Sequence, residues 1–333
     1  MKKKLSFSYG SRVGVERQLE LPVEPHVGQT SLNVAIIGAG VFGRYHAMKA
    51  LAYDGVAAIG VFDPDMDKSR VLADELGLDV HSSIDAALAA CDAVVIAAPA
   101  STHSELAIQA LGAGKHCLIE KPLAHDLDAA EKICKLAADK KLIVHVGHQE
   151  RFVLEAIGLD TIVSKPKFIE MYRENLPSAR GTGVSATLDL TVHDLDMVMW
   201  LMGGEPLGVL ATGESMSTAF IDRSRAVLLY ENSKAVIHTQ RAAKIGRRSM
   251  ALTYPEGTIE IDFNAKTLKN NSPFMLNEKF GDDPRARDAL QASDAAFYDA
   301  VLGGGPSVIP PEDGLRALDW ALEIDRLILG TEL

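Results

Sequence analysis

An apolar run from Leu32 to Ile37 leads directly into Gly38-Ala39-Gly40-Val41-Phe42-Gly43, and a helical pattern follows from Val41 to Leu51. A glycine loop of this spacing is common by chance, but with a strand before it and a helix after it the segment reads as a dinucleotide-binding turn; a plain strand-to-helix turn with incidental glycines is the alternative. Gly38 allows the tight turn, Gly40 lets backbone approach a pyrophosphate, and Gly43 lets the helix pack closely on the strand. Val41 and Phe42 open that helix, so their N–H groups have no partner within it and are available to phosphate oxygens.

The alternation continues. Val56 to Phe62, Asp92 to Ala98, Lys115 to Ile119 and Leu142 to Val146 are further apolar runs, with helical patterns between them, including Asp67 to Leu76. Runs without polar alternation are what a sheet covered on both faces requires. Asp63 ends the second run, twenty positions beyond Gly43. A carboxylate there accepts hydrogen bonds from an adenosine ribose and repels a 2′-phosphate, so NAD is expected in preference to NADP. Asp63-Pro64-Asp65 is equally good turn chemistry.

After Arg151 the pattern changes. Thr258 to Phe263 alternates apolar and polar, Ala226 to Tyr230 and Lys234 to Thr239 flank a turn at Asn232-Ser233, and Pro255-Glu256-Gly257 makes another. Period-two strands joined by short turns imply an antiparallel sheet covered on one face. One helical segment, Thr187 to Met202, stops at Gly203-Gly204, and a last helix runs from Pro311 to about Leu329 behind the acidic start Glu312-Asp313. The expected fold class is α/β: a Rossmann domain over 31–150, then an α+β domain with an open-faced, mostly antiparallel sheet over 151–310. A helix over 311–333 is expected to pack back on the Rossmann domain, and 1–30 to form an extension that could reach a partner subunit.

At 333 residues, two domains are the natural expectation, and 47% hydrophobic with 24% charged residues is ordinary globular composition. A formal net charge of −11 argues against a nucleic-acid partner. It leaves room for an anionic small molecule held by a local arginine cluster. Cys91, Cys117 and Cys134 have no metal spacing and fit a reducing, cytoplasmic setting. Charges interrupt the apolar stretch that a leader beginning Met1-Lys2-Lys3-Lys4 would need, and no window of transmembrane length is free of charge.

Candidate chemistry gathers at three places. Ala98-Pro99 and His103 follow the fourth apolar run, where small residues would let a nicotinamide ribose lie against backbone; His103 could touch substrate, cap a helix or face solvent. Lys121, in Glu120-Lys121-Pro122, projects an amine from the carboxyl edge of the sheet, where ligands of open α/β sheets bind. There it could act as general base toward a hydroxyl, or as the acid in reverse; in isolation it also reads as a surface lysine paired with Glu120. Asp189 and His193 are four apart, with Asp196 three further on, on an otherwise apolar helix. A carboxylate orienting an imidazole is one reading; a satisfied core network, or a metal site from those three residues, are others. We expect no metal. Either Lys121 or His193 could take the proton.

Taken in order, Gly38 to Gly43 with His46, His103 through Gly114-Lys115-His116, Glu120-Lys121-Pro122, Gly147-His148-Gln149-Glu150-Arg151-Phe152 and Asp189-Leu190-Thr191-Val192-His193-Asp194 resemble the Gfo/Idh/MocA oxidoreductases. The resemblance implies Lys121, Asp189 and His193 as the catalytic trio in oxidation of a sugar or polyol at a secondary alcohol. It also implies Glu120 and Lys121 among the cofactor-binding residues, Lys121, Asp189 and His193 among those that touch substrate, and a homodimer or homotetramer formed through the C-terminal sheet. Gly147 to Phe152, Ile169-Glu170, Arg173 and Arg180-Gly181-Thr182 further resemble members acting on UDP-N-acetylglucosamine at carbon 3. Arg151, Arg173 and Arg180 would then suit the phosphates of a nucleotide sugar, since guanidinium pairs bidentately with phosphate. Solvated charge or an inter-subunit salt bridge are the alternatives for those arginines. Phe152 lacks the Asn-Pro that usually follows, and Gly183-Val184-Ser185 stands where Asp-Val-Ser is common. A free sugar or inositol keeps the same fold and chemistry. A non-catalytic NAD-binding sensor would keep the glycine loop and lose the trio.

Overall fold

A computed structural model describes residues 6–9, 31–178 and 183–330. The described residues divide into two compact units, one holding 31–149 together with 288–315, the other holding 6–9, 150–178, 183–287 and 316–330.

Strand β1 (Ser6–Tyr9) belongs to the second unit. The first unit begins with β2 (Leu32–Ile37) and continues as α1 (Val41–Leu51), β3 (Val56–Phe62), α2 (Met66–Leu76), β4 (Asp79–Val80), α3 (Ile84–Ala90), β5 (Ala93–Ile96), α4 (His103–Gly112), β6 (His116–Ile119), α5 (Leu127–Lys140) and β7 (Val144–Val146). Its six strands are ordered β4-β3-β2-β5-β6-β7 and all pair in parallel. The order reverses between β2 and β5, the switch point beside which ligands of such sheets bind. β5 and β6 are buried throughout, as strands covered on both faces must be. Local chemistry marks the helix ends: Ser83 and Asp126 accept the Ala86 and Ala129 N–H groups at helix starts, and Gly77 ends α2 in the left-handed region.

The second unit comprises α6 (Glu150–Ile157), β8 (Phe168–Glu174), a π turn (Thr187–Thr191) running into α7 (Val192–Met202), β9 (Gly208–Glu214), β10 (Arg223–Leu229), β11 (Lys234–Gln240), β12 (Arg247–Tyr254), β13 (Gly257–Asp262), β14 (Thr267–Asn271) and α8 (Pro284–Arg287). The eight strands are ordered β1-β9-β10-β11-β8-β12-β13-β14; only β8 and β11 pair in parallel. Burial alternates along β8 and β10, so one face carries the core and the other stays partly open. The expected turn at Asn232-Ser233 joins β10 to β11, with the Tyr230 N–H on the Ser233 carbonyl at 3.0 Å.

The two remaining helices differ from expectation. Helix α9 (Ala289–Gly303) returns to the nucleotide unit, where Phe297, Tyr298 and Val301 join the core beside α1. Helix α10 (Pro311–Leu329) does not pack back on that unit as a whole. Ala317, Trp320, Ala321, Ile324 and Leu327 lie in the core of the eight-stranded unit, and Trp320 donates its indole N–H to Glu205 at 3.0 Å. The reason is the helix's apolar stripe, which matches the covered face of that sheet. Ser6–Tyr9, read as part of a free extension, is a strand of the chain's own sheet, antiparallel to β9.

Candidate functional site

The glycine loop is held by sterics. Gly38 has φ of 105°, and a Cβ on Gly43 would lie 1.7 Å from the Gly38 carbonyl oxygen, so neither position accepts a side chain. A Cβ on Gly40 would meet nothing within 4 Å. Gly40 caps α1 without any side-chain hydrogen bond, leaving the helix amino terminus open. That open concavity, lined by backbone N–H groups, fits a pyrophosphate. Val41 and Phe42 follow it and are exposed. Asp63 anchors the loop: its Oδ2 accepts the Ala39 N–H at 2.9 Å and its Oδ1 the Asp65 N–H at 2.9 Å. It is therefore a turn residue that ties the glycine loop to the end of β3.

Beyond β5, Ala98 and Pro99 are followed by a buried His103. Its Nδ1 lies 2.8 Å from the Pro122 carbonyl oxygen and its Nε2 2.9 Å from that of Ala98. Among the readings open in sequence, facing solvent is excluded. The ring ties the loop after β5 to the loop after β6.

Lys121 follows β6 and is half-buried, and its peptide bond to Pro122 is cis. Glu120 is buried, with Oε1 3.1 Å from His46 Nε2 and Oε2 accepting the Lys121 N–H at 3.2 Å. On its other side the His46 ring places Nδ1 2.9 Å from Asp294 Oδ2. Burial alone would lower His46, but Asp294 and then Glu120 outweigh it and push the imidazole up to about 10. Burial raises Glu120, yet His46 and Lys121 bring it below the usual carboxylate range. Gly147 completes this wall, since a Cβ there would stand 3.2 Å from the Glu120 carboxylate. His46 figured in the sequence only as part of a motif, and Asp294 carried no local signal.

In the second unit, Asp189 lies half-buried in the π turn and His193 is buried at the start of α7. A π turn takes in an extra residue, which changes the faces assigned by plain helical spacing. Asp196 does not share a role with Asp189 and His193: Arg151 binds it through Nε at 2.8 Å and again through Nη2. The metal reading loses that ligand, and among the described residues no three His, Cys, Asp or Glu side chains gather to hold an ion.

The arginines also require correction. Arg151 and Arg173 are 6% exposed, and both guanidinium groups are engaged by carboxylates of the same unit. Arg173 donates from Nε to Asp194 Oδ1 at 2.9 Å, from Nη1 to Glu150 Oε1 at 3.0 Å and from Nη2 to Glu150 Oε2 at 2.5 Å. Arg248 adds a contact to Glu150 Oε1 at 2.5 Å. Burial raises Glu150, but Arg173 and Arg248 outweigh it and hold the carboxyl well below its ordinary range. Asp194 stays above its ordinary value because burial exceeds the pull of Arg173. His193 Nδ1 stands 4.0 Å from Glu150 Oε1, beside this network. Neither arginine offers a free fork to a phosphate, and neither is solvated. Arg180 lies outside the described residues.

Residues 32–148 match a family described as oxidoreductases with an NAD-binding Rossmann fold, and residues 169–260 match the GFO/IDH/MocA C-terminal domain. A UDP-N-acetylglucosamine 3-dehydrogenase from Acidithiobacillus ferrooxidans is 31% identical over 308 residues, covering 88% of this chain and 96% of the relative. A myo-inositol 2-dehydrogenase from Thermotoga maritima is 27% identical, covering 86% and 93%. A solved structure of the Acidithiobacillus ferrooxidans enzyme superposes with a TM-score of 0.82 at 29% identity, covering 90% of this chain and 98% of that one. Among the described residues, no helix is long and apolar enough to cross a membrane.

Proposed function

This chain belongs to the Gfo/Idh/MocA oxidoreductases, dehydrogenases acting on CH–OH groups, and from that premise we propose an NAD-dependent enzyme that oxidises carbon 3 of UDP-N-acetylglucosamine. The observation that carries this substrate is the 31% identity to an enzyme of that name over nearly its whole length. NAD is favoured over NADP by Asp63, whose carboxylate closes the loop after β3 and would face a 2′-phosphate with like charge.

The cofactor, when bound, supplies the acceptor for hydride from a secondary carbinol carbon. The chain's own residues supply the proton chemistry. Lys121, at the carboxyl edge of β6, offers an amine that removes the hydroxyl proton; His193 is the alternative acceptor, with Asp189 orienting the hydroxyl or the imidazole. A homodimer or homotetramer, formed through the partly open face of the eight-stranded sheet, completes the proposal.

A second substrate reading rests on the arginines. With Arg151 and Arg173 neutralised by Asp196, Asp194 and Glu150, the phosphate-binding argument for them falls, and a neutral inositol or free sugar needs no such fork. Following reduced-nicotinamide absorbance separates the two. Turnover of UDP-N-acetylglucosamine with NAD, and little with NADP, is expected. Turnover of myo-inositol with none of any UDP-sugar would replace the first reading by the second. Asp63→Ala should narrow the NAD preference by roughly 10- to 100-fold, the worth of one charged hydrogen bond.

A further inference from the structure

Asp189 sits in the π turn Thr187–Thr191, a backbone form found mostly as a single turn at functional sites. Both ends of the segment that carries it are tied to one stretch of chain. Thr191 and Thr239 of β11 share a hydrogen bond between their hydroxyls at 2.8 Å. Seven positions before Thr191, the Val184 carbonyl accepts from Arg241 Nη2 at 2.5 Å. Thr239 and Arg241 are two apart, so their side chains leave β11 and its continuation on the same face, and both are buried. Between these two ties the Ala186 N–H donates to the Ile221 carbonyl at 2.7 Å, and the Ser185 carbonyl accepts the Asp189 N–H at 3.0 Å. The Ser185 hydroxyl accepts the Leu188 N–H at 3.1 Å. A line of bonds thus runs from Arg241 through Val184 and Ser185 to the backbone of Asp189.

Arg241 gains little else from its place. It is 5% exposed. The Asp222 carboxylate stands 3.7 Å from Nη1, beyond hydrogen-bond reach. That carboxylate already accepts the Met216, Ser217 and Thr218 N–H groups and the Thr218 hydroxyl, at 2.6 to 2.9 Å. Among the described residues, Nε and Nη1 of Arg241 have no hydrogen-bond partner. A buried cation with most of its donors unspent is costly, and an apolar side chain would fill the same space without that cost. Besides offsetting the charge of Asp222, the guanidinium does one thing an apolar group could not. It holds the Val184 carbonyl.

We propose that Arg241 is a positioning residue: together with Thr239 it fixes the two ends of the segment from Val184 to Thr191, and so sets where Asp189 stands for reaction. It acts through Asp189 and not on the reacting atoms. The inference rests on the dehydrogenase reading given above, in which Asp189 orients the hydroxyl or the imidazole. His193 follows Thr191 by two residues, so the Thr239 bond also sets the start of α7. Misplacing such a group by about 1 Å costs up to roughly 10²-fold in rate.

Initial rates of the full-length protein with NAD and UDP-N-acetylglucosamine, or with myo-inositol if that is the alcohol oxidised, test it. Arg241→Met, which keeps length and loses the donors, should lower kcat about 10- to 100-fold with KM for NAD little changed. Arg241→Lys, whose ammonium can still donate to the Val184 carbonyl, should recover most of that rate. Asp189→Ala supplies the comparison that a merely structural role would not pass. In that background Arg241→Met should cost less than about twofold more, since the group it positions is gone. Equal losses with and without Asp189 overturn the inference, as does a parent-like kcat in folded Arg241→Met. Thr239→Val, which keeps shape and loses only the hydroxyl bond, should show the same non-additivity with Asp189→Ala, and it carries the test if Arg241→Met fails to fold. Full turnover in Asp189→Ala, or no oxidation of either alcohol by the parent, is a separate failure: it defeats the reading of the site, and the inference falls with it.

Discussion

Replacing Arg173 by leucine separates a structural ion-pair centre from a substrate anchor. The guanidinium makes five hydrogen bonds to Asp194 and Glu150, and all three groups are buried. Leucine leaves both carboxylates without it. Glu150 keeps Arg248, so Asp194 bears most of the loss. Breaking a buried pair by removing one partner costs about 3–5 kcal/mol. Set against the ~5–15 kcal/mol that holds a domain folded, this is a severe but survivable loss. Trp200 and Trp320, the chain's two tryptophans, both pack in the core of this unit, so their fluorescence during urea unfolding reports the affected part. The midpoint should fall by roughly 1–2 M urea with little change in slope. The pH dependence adds a signature. Asp194 is already raised, and a carboxyl with a raised folded pKa recovers stability as pH falls and it protonates. The gap between variant and parent should therefore narrow toward acid pH. A parent-like midpoint combined with a steep rise in KM for a nucleotide sugar would refute this account and restore Arg173 as a ligand-binding residue.

Gly43→Ala brings a Cβ within 1.7 Å of a backbone oxygen that no rotamer change can relieve, so NAD affinity should drop at least about tenfold; near-normal titration would show that the loop yields. His46 has a folded value of about 10 against an ordinary 6.5, so its stabilisation is complete below pH 6.5 and fades as pH rises toward 10. Melting temperatures of the parent should accordingly approach those of His46→Gln across that interval, and a constant difference would contradict the buried imidazolium. Lys121→Ala should lower kcat by about 10²–10⁴; undiminished turnover would remove it from the chemistry. If Lys121 and His193 act in one step, Lys121→Ala and His193→Ala combined should cost little more than either alone, whereas additive losses would separate their roles.

Much of the framework was legible in order. The runs Leu32 to Ile37 and Val56 to Phe62 are strands β2 and β3 to the residue, and Val41 to Leu51 is α1. Such elements announce themselves through local burial pattern and glycine sterics. Strand β8 is less visible: Phe168 to Glu174 alternates, but with Glu170 and Arg173 among its residues it reads as polar. Helix α9 reveals its allegiance only through the residues it meets, since its sequence does not say which unit its apolar side will cover.

The same division governs the chemistry. Sequence alone determined the glycine loop, the turn chemistry of Asp63-Pro64-Asp65, and the position of Lys121 after a strand of the sheet, because each follows from the pattern of adjacent residues; that Asp63 also closes the glycine loop, 24 residues back, was left to the fold. Tertiary structure alone decided that Arg151 and Arg173 are consumed by carboxylates 21 to 45 positions away, and that His46 joins Glu120, 74 residues on, to Asp294, 248 residues on. A charged side chain looks the same in sequence whether it awaits a ligand or has already met its counterion. Burial with a partner makes the difference, and partners brought together by chain folding leave no periodic trace.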